Sequence, residues 1–122
     1  MQKIFINHTN HPSDKWSAEQ ISAAKVYGDI KDIPFPAIEP RASSAQIKQL
    51  VKENLKEILE LKPAVVLCQG EFNYTFEMVT LLKNSGIKVI AATSERRVSV
   101  EILADGRSQQ VSTFCFVRFR EY

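Results

Sequence analysis

Two apolar runs, AVVLCQG at residues 64–70 and IKVIAATS at residues 87–94, constrain this chain more than any other feature. Each is short, almost continuously hydrophobic and ended by glycine or polar residues, the pattern of a strand buried on both faces. Between them, EFNYTFEMVTLLKNSG reads as a helix with a stop signal at Asn84 to Gly86. Strand, helix, strand in that order calls for a parallel pair with a right-handed crossover. The run ending at Gly70 is expected to be the central strand.

The N-terminal half repeats the alternation. KIFIN predicts a first strand over residues 2–7. SAEQISAAKVYG predicts a helix, with Ser17 and Gln20 in capping-box spacing and Gly28 at its end. DIKDIPFP reads as a peripheral strand, since Pro34 and Pro36 cannot donate to a ladder. After a loop at IEPRAS, a longer helix is expected from Ser44 to Leu61, with Ile47, Leu50, Val51, Leu55, Ile58 and Leu59 as its inward stripe.

The C-terminal stretch from Val98 to Tyr122 differs. It holds two alternating runs joined across Asp105-Gly106, a strong hairpin signal, and both runs are expected to add antiparallel strands at one edge of the sheet. The expectation is thus one α/β domain over residues 1–122, with a mainly parallel sheet and a C-terminal hairpin. A composition of 44% hydrophobic and 25% charged residues fits a single modest core.

A net charge of +2 is too small for a duplex nucleic-acid binder, which neutralises many phosphates, but leaves room for a small anionic ligand. No run approaches the length of a bilayer span and no basic flank precedes a long apolar region, so a soluble, unexported, cytoplasmic protein with no membrane partner is expected. Cys68 and Cys115 sit in apolar runs without a C-x-x-C partner and read as reduced core residues.

Polar residues concentrate where strands end. Asn7 to His11, Gln69 to Asn73 and Thr93 to Arg97 each follow an apolar run, and in open parallel sheets ligands bind outside the carboxyl ends of the strands. The three segments are expected to meet in one pocket, with Asn7, Thr9, Asn10, Gln69, Glu71, Ser94, Glu95, Arg96 and Arg97 as ligand-binding candidates and His8 and His11 as candidates for proton transfer. A plainer reading stands beside this one. Asn7, Thr9, Asn10 and Ser13 are turn formers, His8 and His11 can satisfy backbone groups, Glu71 suits a first helical turn, and Glu95, Arg96 and Arg97 can form a solvated charged turn.

Several chemistries lack their signatures. Neither G-x-x-x-x-G-K-[ST] nor G-x-G-x-x-G occurs, and no G-x-S-x-G elbow is present. His8 and His11, with Glu71 or Glu95 as a third ligand, form too sparse a set for a metal site, so neither metal nor cofactor is expected.

The strand end NHTNHP, the helix start W-S-A-E-Q and DIPFP after the second strand together resemble small ancillary proteins of type III CRISPR systems. Those proteins carry an Asn-x-Ser-His-Pro-like strand end and a Thr/Ser-x-x-Gln helix start. Asn7, His8, His11 and Pro12 are the positions that carry over, while Thr9-Asn10 is an insertion and CQGEF is distinct to this chain. The resemblance covers about the first forty residues by motif. It implies a Rossmann-like, three-layer domain that binds cyclic oligoadenylate, and it leaves open whether the domain also cleaves that ligand as a metal-independent ring nuclease.

The residues are compatible with that chemistry. A ribose 2′-OH can attack the adjacent phosphodiester if the protein aligns it, moves protons and stabilises the phosphorane. His8 or His11 then supplies the base or acid, Arg96 or Arg97 the phosphate clamp, Asn7, Asn10 and Gln69 the positioning groups, and Trp16, Phe72 or Tyr74 a stacking surface. Two other readings remain open: a small-nucleotide hydrolase or glycosyl-transferring enzyme with Glu71 or Glu95 as the reacting carboxylate, and a non-catalytic interaction module. A ligand of even symmetry further predicts a homodimer, through the Val98–Tyr122 hairpin or the helix at Glu71.

Overall fold

The computed structural model describes residues 3–122. Strand β1 spans Ile4–Thr9, so it begins and ends two residues later than the sequence pattern implies, and Gln2 lies outside the described residues. A single 3₁₀ turn at Ser13–Lys15 leads into helix α1, Ala18–Lys25. Strand β2 follows at Asp29–Asp32, helix α2 at Ser44–Glu60, strand β3 at Val65–Gln69, helix α3 at Phe72–Asn84, strand β4 at Lys88–Ile102 and strand β5 at Ser108–Glu121.

Local chemistry sets these boundaries. Ser17 Oγ accepts from Gln20 N at 3.2 Å at the start of α1. At the start of α2, Ser43 and Gln46 form a reciprocal capping box, with Gln46 N donating to Ser43 Oγ at 3.1 Å and Ser43 N donating to Gln46 Oε1 at 2.8 Å. Gly86 ends α3 with a φ of 78°, a left-handed geometry in which a side chain is strained.

The five strands lie in the order β2-β1-β3-β4-β5, curled into a half-barrel. The first three pairings are parallel and the β4–β5 pairing is antiparallel. As expected, β3 is central and β2 peripheral. The expectation for Thr93 to Arg97 is corrected: these residues are not a strand-end loop but the middle of β4, which continues to Ile102 and pairs with β5 from Ile90 onward, with a register shift between Thr93 and Ser94. The C-terminal region therefore adds one new strand rather than two. Beyond Thr93 the strand is exposed, so it lacks the buried-strand signature; β5 pairs the backbone groups on one side and those on the other side face solvent.

Side chains alternate across the sheet and build two cores. Phe5, Val65, Leu67 and Ile90 pack beneath α1 with Ala24 and Phe119. Ile6, Val66, Cys68 and Val89 pack beneath α2 and α3, against Ile47, Val51, Ile58, Tyr74, Met78 and Leu82. Each fully buried aliphatic or aromatic side chain contributes about 1.5–3 kcal/mol relative to exposure. Because α1 covers one face and α3 the other, the chain leaves β1 and β3 in opposite directions. A crevice opens between strands that diverge in this way, outside their carboxyl ends.

Candidate functional site

That crevice is a cleft of about 690 Å³. Thr9, Asn10 and His11 from the end of β1, Gln69 from the end of β3, and Ala92 to Ser94 from β4 line it, together with the 3₁₀ turn, the start of α1 and β5 residues 114–116. The volume lies within the ~300–1,000 Å³ usual for small-molecule sites.

The stretch that opens the cleft is first of all a knot. Asn7 Nδ2 donates to His11 O at 2.9 Å and to Asp32 Oδ1 at 3.0 Å, while Thr9 Oγ1 donates to Asn7 Oδ1 at 2.8 Å. His11 N donates to Thr9 Oγ1 at 3.1 Å, and both Ser13 N and Ser13 Oγ donate to Asp32 Oδ2 at 3.1 Å. Trp16 Nε1 closes the turn by donating to His11 O at 3.0 Å. Asn7 is buried and fully engaged, so it shapes the loop instead of facing a ligand. Of this loop, the side chains of Asn10 and His11 remain exposed at the cleft.

His8 points the other way. It is fully buried, with Nδ1 2.7 Å from Ile33 O and Nε2 2.7 Å from the Tyr74 hydroxyl. A carbonyl can only accept, so Nδ1 carries the proton and Nε2 accepts from Tyr74, whose oxygen in turn accepts from Asn54 Nδ2 at 2.9 Å. Burial lowers the His8 pKa below its ordinary value, against smaller opposing contributions from the Ile33 carbonyl and the Glu57 charge. The same burial raises the Tyr74 pKa and pushes the Cys68 thiol up to about 12. His8 is a buried residue on the α2/α3 side and does not line the cleft, so the expectation that it stands in the pocket with His11 is corrected.

Other candidates separate in the same manner. The Gln69 amide grips the backbone of Ala92, Nε2 donating to Ala92 O at 3.1 Å and Oε1 accepting from Ala92 N at 2.8 Å. It thereby carries the ladder one step past the last β3–β4 pair, and its polar groups are spent on the sheet. Glu71 caps α3 by accepting from Tyr74 N at 2.7 Å, and it does not line the cleft. Arg96 stands opposite Phe114 on the hairpin and donates from Nε to Ser112 Oγ at 2.6 Å, outside the lining. Arg97 does line the cleft, with the exposed Glu95 carboxylate 3.6 Å from its guanidinium. Neither carboxylate proposed for a hydrolase or glycosyl-transferring reaction, Glu71 or Glu95, is among the lining residues.

The cleft also holds groups that sequence reasoning missed. Lys15, Glu19 and Gln20 enter from the 3₁₀ turn and α1, and Phe114, Cys115 and Phe116 enter from β5. Trp16 is the one expected stacking residue that reaches it, edge-on to Phe5 at 6.0 Å. Tyr74 is in the core, and Phe72 lies exposed on α3 away from the lining. Cys115 is a free thiol in the cleft wall, half-buried, and not the core residue its apolar run implies. Among the described residues no group of three or more histidines, cysteines and carboxylates is placed to hold a metal ion, and no helix is long and apolar enough to cross a membrane.

Chemically, the cleft combines two cations, Lys15 and Arg97, one carboxylate, Glu19, an exposed imidazole at His11, free amides at Asn10 and Gln20, and three aromatic rings. No curated protein and no solved structure matches the chain. A family model spans residues 3–120, nearly its whole length, and the protein belongs to the uncharacterized protein MJ1673 family.

Proposed function

We propose that the protein binds a small anionic nucleotide, foremost cyclic oligoadenylate, in the cleft at the ends of β1 and β3, on a Rossmann-like, three-layer scaffold. It acts as a cytoplasmic, CRISPR-associated sensor or ring nuclease and works as a homodimer. The observation that carries this reading is the pairing of Lys15 and Arg97 with the aromatic rings of Trp16, Phe114 and Phe116 in one cleft. Cations meet phosphates, and rings meet purine faces. The resemblance of NHTNHP and W-S-A-E-Q to type III CRISPR ancillary proteins adds the ligand class.

If cleavage occurs, His11 is its proton-transfer group. The ribose 2′-oxygen attacks phosphorus as His11 takes its proton, a 2′-O–P bond forms, and the P–O5′ bond breaks as the departing O5′ takes up a proton from water. The products are a 2′,3′-cyclic phosphate and a 5′-hydroxyl. Arg97 holds the non-bridging oxygens, where charge grows in the transition state.

Titration calorimetry against cyclic tetra- and hexa-adenylate, a linear oligoadenylate and AMP, followed by chromatography of the products, tests the reading. Tighter binding of a cyclic ligand is expected, weakened roughly tenfold or more in Arg97→Ala by loss of a charge-assisted contact. His11→Ala is expected to slow cleavage by roughly 10²–10⁴ with affinity retained. Binding without products leaves a sensor, and wild-type protein that binds none of the four overturns the proposal.

A further inference from the structure

The two edges of the sheet are protected very differently. At one edge β2 is only four residues long, carries Asp29, Lys31 and Asp32, and runs into Pro34 and Pro36. Short length, charge and proline are the devices by which edge strands refuse further pairing. At the other edge β5 has 14 residues, and among the described residues no strand pairs with its outer side. From Ser108 to Val117 it contains neither a charge nor a proline. The same arm exposes Val98, Val100, Ile102, Phe114 and Val117. A long, uncharged edge flanked by apolar side chains is a template for another strand.

We propose that β5 pairs antiparallel with β5 of a second copy, about a two-fold axis near Ser112 and Thr113, the middle of the uncharged run. A second copy is the occupant the edge fits. An antiparallel strand paired with itself makes each contact twice, sets uncharged residues against uncharged residues throughout, and closes as an isologous dimer. The edges left open are then the two β2 strands, which resist growth, and the stretch of β4 beyond Ile90 on its side away from β5, which carries Glu95, Arg96, Arg97 and Glu101. Pairing along β5 also joins the walls of two clefts, since residues 114–116 line each.

The oligomeric state decides it. Light scattering of the wild-type chain at roughly 100 µM, a concentration that fills a micromolar site, is expected to give twice the chain mass. Val111 faces Ser99 within its own chain and lies beside the axis, so Val111→Lys and Val111→Glu each set like charges close across the interface. Each variant alone is expected to be a monomer with unchanged circular dichroism, and an equimolar mixture is expected to recover the dimer. In the wild-type chain, diluting a hundredfold is expected to cut hydrogen-exchange protection of outward-facing amides in residues 109–116 severalfold, up to the roughly tenfold limit set by the square-root dependence of monomer fraction on concentration, a readout independent of variant folding. A wild-type monomer, variants that stay dimeric, a mixture that stays monomeric, or protection that ignores dilution overturns the proposal.

Discussion

His8 and His11 are three residues apart at the end of one strand and live in different media. His8 is sealed on the α2/α3 side with both ring nitrogens bonded, whereas His11 is exposed at the cleft that Lys15 and Arg97 also line. The first is a part of the core that happens to be polar. The second is available for chemistry. Their difference comes from strand alternation: within β1 each step of one residue changes the face, and the chain leaves the ladder before His11. Residue type at a strand end therefore says less about function than the face on which it lands.

The largest expected contrast is in stability. His8→Ala removes a buried ring and leaves the Ile33 carbonyl and Tyr74 hydroxyl without their partner, so a loss of about 3–5 kcal/mol is expected from cavity and unsatisfied groups together. Urea unfolding monitored by circular dichroism measures it, and a loss under 1 kcal/mol would dissolve the distinction between the two faces. Gly70→Ala comes next. A Cβ there would sit 2.4 Å from the Phe35 ring, and that ring is held between His8, at 5.5 Å, and Tyr74, at 4.7 Å. Displacing it is expected to cost about 1–3 kcal/mol by overpacking, read as a lower urea midpoint at constant slope.

Acidification sharpens the comparison further. Above about pH 6.5, the ordinary histidine value, native and unfolded chains both hold His8 neutral, and its contribution to stability is complete. As pH falls from there toward the lowered native value, the unfolded chain takes up a proton that the native core refuses. Stability drops across that window by up to ~1.4 kcal/mol per pH unit from this group, and the loss is complete below the native value. Urea midpoints at pH 8, 6 and 5 are expected to show the slope in the wild-type chain and a shallower one in His8→Gln. The smallest effect belongs to His11→Ala, whose exposed side chain is expected to change stability by less than about 0.5 kcal/mol. A larger change in its urea midpoint would show that His11 holds the fold as His8 does.

Where the chain spoke locally, the sequence was legible. The apolar run of β3, the prolines after β2, the Ser17–Gln20 pair before α1 and the apolar stripe of α2 place those elements to within a few residues. The course of β4 was not, because TSERR lies in an exposed strand and carries the polarity of a loop. Nor was the fate of the polar strand end. Phe5 and Ile6 are both buried, so hydrophobicity does not say which face of β1 meets solvent, and the partners that occupy His8 and Asn7 are Tyr74, Ile33 and Asp32, far along the chain. Gln69 lost its free amide to Ala92 for the same reason. Phe114 and Phe116 belong to an alternating run that reads as hairpin, and their place at the cleft follows only from the way β5 lies beside α1 and β4.

The hairpin has a meaning in time as well as in space. Residues 103–107 are all that separate β4 from β5, so this pairing closes on the microsecond scale of an isolated hairpin. The three parallel pairings each wait for a helix to cross over and for distant segments to meet. During synthesis the arm emerges after the other strands, yet once both its strands are out it is the first part of the sheet able to form. Its unguarded edge is then presented before the rest of the sheet has assembled. The yield of correctly folded protein should accordingly fall as chain concentration rises during refolding, and the aggregates should be held together by residues 108–117.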